Sequence, residues 1–142
     1  MKTIDNILDS KKRKIMIEKA SNEIVEEVRH PFVALWFSYQ GLVSAIKNER
    51  AFRHELLLGI VHFAALFYFS MTLELRVILS LAWCILLATE LLNTAVEAIV
   101  DKVSPEWHEL AKRAKDCGSA AVYLMLLGIA LSWLLIIIYG GK

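Results

Sequence analysis

The sequence predicts an all-α membrane protein with three transmembrane helices preceded by an amphipathic interfacial helix. Three observations predict it. Of 142 residues, 57% are hydrophobic, against about 45–50% in an ordinary soluble domain. The apolar residues gather into three runs, each close to the roughly 20 residues a helix needs to cross a 30 Å hydrocarbon core. The basic residues gather at one side of those runs: fourteen of the sixteen Lys and Arg lie in residues 1–55 or 101–118. A net charge of +1 argues against a nucleic-acid partner held by bulk positive charge.

Residues 1–28 are a charged, helix-prone extension, with KKRK at 11–14 and EIVEE at 23–27. They hold no short apolar core with a small-residue cleavage site, which argues against a cleaved signal peptide. The main domain runs from 29 to 142. It opens on a surface helix over 31–50, with Pro31 where a first helical turn tolerates proline. There Phe32, Leu35, Trp36, Tyr39, Leu42, Val43 and Ile46 recur at helical spacing. Such a helix lies in the interface with its aromatics at headgroup depth.

The spans follow over about 54–73, 77–100 and 119–139. The first holds Leu56–Leu73 without formal charge, the second carries two acids within Val77–Val100, and the third, Ser119–Tyr139, is uncharged. Lipid leaves helices as the form for such single apolar runs. With three spans, the N-terminus and the 101–118 loop share one side, and the positive-inside rule makes that side the cytoplasm. The expected location is therefore a membrane crossed three times, with the N-terminus and the 101–118 loop cytoplasmic. Two cysteines, Cys84 and Cys117, are too few for a disulfide framework; Cys84 reads as core packing.

The second span carries Glu90, Asn93 and Glu97, with Asp101 at its end. At about 100° per residue, Glu97 and Asp101 fall about 20° to either side of Glu90, and Asn93 about 60° away. One stripe holds all four. An acid facing lipid near mid-membrane costs about 2.5–3.5 kcal/mol, so the stripe must face protein or water. Interhelical hydrogen bonding is one use for it; metal binding or proton transfer is another. Glu49, in NERAFRHE (48–55), falls on the same side. Glu49 and Glu97 supply a carboxylate pair of the kind that holds Mg²⁺ together with phosphate oxygens and water. Arg50, Arg53, His108, Arg113 and Lys115 surround them in the sequence-based topology. Carboxylate-held metal ringed by cations suits a nucleoside triphosphate. The sequence contains no G-x-x-x-x-G-K-[ST] or G-x-G-x-x-G loop, so phosphoryl transfer here needs another kind of nucleotide site. Ion conduction or a transporter fragment remains the alternative at this point.

Three strings carry a family resemblance: NERAFRHE (48–55), ELLNTAVEAIVD (90–101) and WHELAKRAKDCGSAAV (107–122). They resemble the prokaryotic diacylglycerol kinases, and the likeness spans about residues 30–140. The resemblance implies a homotrimer of three-span subunits that phosphorylates diacylglycerol to phosphatidate with Mg-ATP, in active sites shared between neighbours at the cytoplasmic face. It implies Glu90 as general base, assisted by Asn93. Glu49 and Glu97 become the metal-binding pair and also nucleotide contacts. His30, Phe37, Glu106, Trp107, His108, Lys115 and Asp116 are the other implied ATP contacts. His30 stands where relatives often carry Arg, and Phe37 where they often carry Tyr. Arg53, Glu55, Glu90, Ser119 and Trp133 are implied to lie near the lipid substrate. A sister activity on the same scaffold, undecaprenol phosphorylation, is the runner-up; KDCGSAAV (115–122) resembles the diacylglycerol branch.

Physical logic agrees with the resemblance. A lipid hydroxyl is reached only at the interface, so the base belongs just inside the membrane, while phosphates stay in the aqueous layer. A chain this small cannot enclose both substrates, which favours an oligomer. The small residues Gly118, Ser119, Ala120 and Ala121 permit close helix approach. His62, inside the first span, reads as a hydrogen-bonded structural residue rather than a proton carrier.

Overall fold

The computed structural model describes Lys19, Arg29 and residues 31–139, all helix apart from short breaks. The chain divides into two compact units, Met1–Val43 and Ser44–Lys142. The expected extension 1–28 lies outside the described residues except for Lys19, which is helical.

A helix over 31–48, here α1, is followed by three that are long and apolar enough to cross a membrane. These are α2 (Arg50–Tyr68), α3 (Leu73–Val103) and α4 (Glu109–Tyr139). Arg29 is already helical, so Pro31 does not mark the start of helical structure. The single non-helical residue between α1 and α2 is Glu49, with extended backbone (φ −101°, ψ 118°). The helix expected over 31–50 therefore stops at 48. Two backbone bonds bracket the break: Glu49 N–H donates to the Ala45 carbonyl at 2.9 Å, and Arg53 N–H donates to the Glu49 carbonyl at 3.3 Å. The Arg53 guanidinium also donates to the carbonyls of Ile46 (3.0 Å) and Lys47 (3.1 Å). These are among the end carbonyls a helix leaves without intrahelical donors.

The hydropathy runs mark the spans but not the helix ends. α2 ends at Tyr68, and α3 starts at Leu73 behind Thr72, whose side-chain oxygen accepts from the Leu75 N–H at 3.4 Å. That is an N-cap. α3 then carries its polar end, Lys102 included, beyond the apolar run to Val103. It stops at Ser104, directly before Pro105, because proline pushes its predecessor out of helical geometry. α4 begins ten residues ahead of its uncharged run, so its polar foot and apolar span form one helix.

Packing centres on α3 and α4, where Trp83, Leu86, Val122 and Ile129 form the buried cluster with Met125, Leu126 and Trp133 against it. α2 reaches that cluster through Gly59, where a Cβ would stand only 2.8 Å from Trp83 Nε1. Most apolar side chains remain uncovered; only 11% of the most apolar stretch of α4 is buried. In water this surface would drive aggregation. In hydrocarbon it is solvated, and the chain is a membrane protein. Cys84 is exposed on α3 rather than packed in the core, because α3 turns Trp83 and Leu86 toward its neighbours and leaves position 84 on the outer face.

Three helices are tied together around His62. Trp133 Nε1–H donates to His62 Nδ1 at 3.1 Å. The imidazole stacks on Trp83 with ring centres 4.4 Å apart and meets Trp133 edge-on at 5.8 Å. The expected structural role of His62 is what its contacts support. Its Nε2 is buried and has no hydrogen-bond partner among the described residues.

Candidate functional site

Exposure grades the polar stripe on α3 from inside to outside. Glu90 is 4% exposed, Asn93 and Glu97 are half-buried, and Asp101 is exposed. Helix geometry puts these side chains on one stripe, and packing against α2 and α4 buries its inner end. Glu55 of α2, 5% exposed, joins them there. Glu49 and Glu97 lie within electrostatic range of Glu90, as Glu90 does of Glu55. Glu49, Glu55 and Glu97 thus each act electrostatically on Glu90 or are acted on by it.

Little neutralises this group. The ion pairs among the described residues are Lys112–Asp116 and Lys115–Asp101, and neither includes Glu49, Glu55, Glu90 or Glu97. Asn93 Nδ2 donates to Glu97 Oε1 at 3.5 Å, a long contact. Among the described residues, Glu55 Oε2 and Asn93 Oδ1 are buried without a hydrogen-bond partner. Buried polar atoms are nearly always paired, and an orphan needs a reason. Among the described residues, no three Asp, Glu, His or Cys side chains are grouped to hold a metal ion unaided. The donor chemistry nonetheless fits Mg²⁺, a hard cation that takes one or two carboxylates and fills its remaining positions with water and phosphate oxygens.

The expected nucleotide residues converge on the α3–α4 turn. A cavity of about 480 Å³ is lined there by Glu106, Trp107, His108, Lys115 and Asp116, joined by Asp101 and Lys112. His108 Nδ1 accepts from the Leu110 N–H at 3.2 Å and so caps the start of α4. Lys115 donates to Asp101 at 2.8 Å, and Lys112 donates to Asp116 at 2.7 Å. Lys115 stands on the polar foot of α4, outside the apolar span. Its hydrogen bond to Asp101 pushes the ammonium pKa up from the ordinary lysine value, with the charges of Asp101 and Glu97 adding to the effect. Lys115 thus links the cavity to the carboxylate stripe.

Among the described residues, Arg53, Ser119 and Trp133 do not line that cavity. His30 lies outside the described residues, and Phe37 is exposed on α1, within the other compact unit. Arg53 spends its guanidinium on the end of α1. Ser119 is exposed on α4. Trp133 lies away from the acids: Trp83, stacked on its partner His62, precedes Glu90 by seven residues, or about 10 Å of helix. Trp133 and His62 line an apolar cavity of about 410 Å³ with Leu58, Phe69 and Ile129. Sequence reasoning missed Lys112 at the α3–α4 cavity. Its signal was present, as a Lys–Asp pair at i,i+4 spacing with Asp116.

Known proteins share this arrangement of sequence. The profile of the prokaryotic diacylglycerol kinase family matches residues 36–137. A diacylglycerol kinase of Haemophilus influenzae is 45% identical over 98 residues, covering 68% of this chain and 82% of that protein. One from Pseudomonas aeruginosa is 38% identical over 105 residues, covering 74% and 85% respectively. One from Escherichia coli K12 is 35% identical over 104 residues, covering 73% and 85%. By the extent of these matches, the chain belongs to the prokaryotic diacylglycerol kinase family.

Proposed function

We propose that this protein phosphorylates diacylglycerol to phosphatidate with ATP, at the cytoplasmic face of a bacterial inner membrane. The observation that carries the reading is the graded stripe on α3, whose buried end is Glu90 and whose exposed end, Asp101, is bonded to Lys115 of the adjoining cavity. A lipid hydroxyl and a nucleotide approach from opposite phases, and the stripe spans the boundary between them. Family membership supplies the substrate class.

In this reading the primary hydroxyl of the lipid reaches Glu90, whose carboxylate takes its proton. The hydroxyl oxygen then forms a bond to the γ-phosphorus of ATP. The bond from that phosphorus to the β–γ bridging oxygen breaks, and ADP leaves with the electron pair. Asn93 orients Glu97 through its amide. Glu49 and Glu97 would hold Mg²⁺, which when bound offsets negative charge on the phosphates. Lys115, Lys112 and the Nε2 side of His108 supply positive charge and donors to the nucleotide in the α3–α4 cavity, with Trp107, Glu106 and Asp116 beside them. Glu55 faces Glu90 from α2 and belongs near the lipid headgroup. Positioning and charge stabilisation carry most of such a reaction.

The family resemblance, with the exposed small residues Ser119, Ala120 and Ala121 of α4, supports assembly as a homotrimer with sites completed between subunits. The distribution of Lys and Arg supports a cytoplasmic N-terminus and 101–118 loop. Phosphate transfer from ATP to purified diacylglycerol and to undecaprenol, measured side by side in mixed micelles, tests the function. Faster transfer to diacylglycerol is expected. Preferential labelling of undecaprenol would assign the sister activity, and transfer to neither would overturn the kinase reading.

A further inference from the structure

The third helix of the bundle contains two glycines whose surroundings differ. A Cβ built on Gly128 of α4 meets nothing within 4 Å, whereas a Cβ on Gly118 would run into the side-chain oxygen of Asn93 on α3. Neither glycine has positive φ, so neither is needed for backbone conformation. A glycine inside a helix costs about 1 kcal/mol relative to alanine. At Gly118 the cost has a counterpart: the Asn93 amide occupies the space a Cβ would fill. That amide cannot simply swing outward. Asn93 is half-buried, and its Nδ2 is engaged with Glu97 Oε1. Its Oδ1, against Gly118, is buried without a hydrogen-bond partner among the described residues.

We propose that Gly118 is a positioning residue for phosphoryl transfer, acting through Asn93 on Glu97. The missing side chain leaves room on α4 for the Asn93 amide, and the seated amide turns its N–H toward the Glu97 carboxylate. A methyl group at 118 displaces the amide, and Glu97 loses the donor that orients it. The inference rests on the proposed kinase reading, in which Glu97 serves the nucleotide side of the reaction.

The test is a double-mutant cycle with an internal control, using full-length protein in mixed micelles. Turnover, KM for Mg-ATP and KM for diacylglycerol are measured for Gly118→Ala, Asn93→Ala, the double variant and Gly128→Ala. Gly118→Ala is expected to lower kcat/KM for Mg-ATP at least tenfold while leaving KM for the lipid within about twofold. In the Asn93→Ala background, where no amide remains to be displaced, the same change should cost less than twofold. Gly128→Ala, with the same gain in helix propensity and open space around it, should match the parent. Equal fold-losses from Gly118→Ala with and without Asn93 would overturn the proposal, since a general disturbance of α3–α4 packing adds independently. Near-parent kinetics of Gly118→Ala would overturn it too. Inactivity of the unmodified protein toward every lipid would instead overturn the kinase reading on which it rests.

Discussion

Replacing Trp133 with phenylalanine removes the indole N–H that His62 Nδ1 accepts at 3.1 Å, while keeping an aromatic ring in the cluster around Trp83. The cost can be built from its parts. A hydrogen bond between membrane helices contributes about 0.6 kcal/mol on average and up to about 1.7. His62 is only 5% exposed, so its Nδ1 without the indole is a buried acceptor. Leaving a buried acceptor unpaired costs about 1–3 kcal/mol. These two figures describe overlapping effects, and the total expected is about 1–3 kcal/mol, up to roughly a hundredfold in the folding equilibrium. Titration with a denaturing detergent in mixed micelles, followed by circular dichroism, reads this as an earlier transition. Part of the loss could come from the smaller ring, so the hydrogen bond is isolated with His62→Ala. In that background Trp133→Phe should cost about 1 kcal/mol less, because the acceptor is gone. An identical cost in both backgrounds would refute the idea that the two side chains act as a unit.

Gly59→Ala forces a Cβ to within 2.8 Å of Trp83 Nε1; Trp83 is buried and stacked on His62. Overpacking of about 1–3 kcal/mol should outweigh the gain of about 1 kcal/mol in helix propensity, and the same detergent titration should show a net loss. Arg53→Ala exposes the carbonyls of Ile46 and Lys47 and loosens the break that presents Glu49; a higher Mg²⁺ requirement for turnover is expected, partly restored in Arg53→Lys. Glu97→Gln should shift the Mg²⁺ dependence still further, and an unchanged metal profile would contradict its place as a ligand. Lys115→Ala should raise KM for ATP more than KM for lipid, since Lys115 lines the α3–α4 cavity.

What could be read in the sequence follows from the range of the interactions involved. The stripe Glu90–Asn93–Glu97–Asp101 was legible because helix geometry alone fixes its alignment, and lipid excludes charges from the outer face. The convergence of Glu106, Trp107, His108, Lys115 and Asp116 was legible because they share one short turn and the helix after it. Contacts between distant segments were not. His62 and Trp133 lie 71 residues apart, and only the packed bundle shows which tryptophan reaches the imidazole. Gly118 reads in sequence as one small residue among several, and its distinction appears only when Asn93 is seen against it. Cys84 was misplaced because an apolar run identifies a span but not which side of it faces the neighbouring helices. The break at Glu49 was invisible because NERAFRHE holds no Pro or Gly, and the Glu, Arg and Ala around the break favour helix. The strongest signal there is Arg53, whose guanidinium turns back to the end of the preceding helix.

The central claim is that buried Glu90 accepts the lipid hydroxyl proton, and the most direct test is the turnover of Glu90→Gln. Glutamine keeps the shape and burial of the side chain but cannot serve as the base. With folding verified by circular dichroism and assembly by sedimentation, phosphate transfer from ATP to diacylglycerol should fall by about 10²–10⁴-fold. Turnover within a few-fold of the parent would contradict the account.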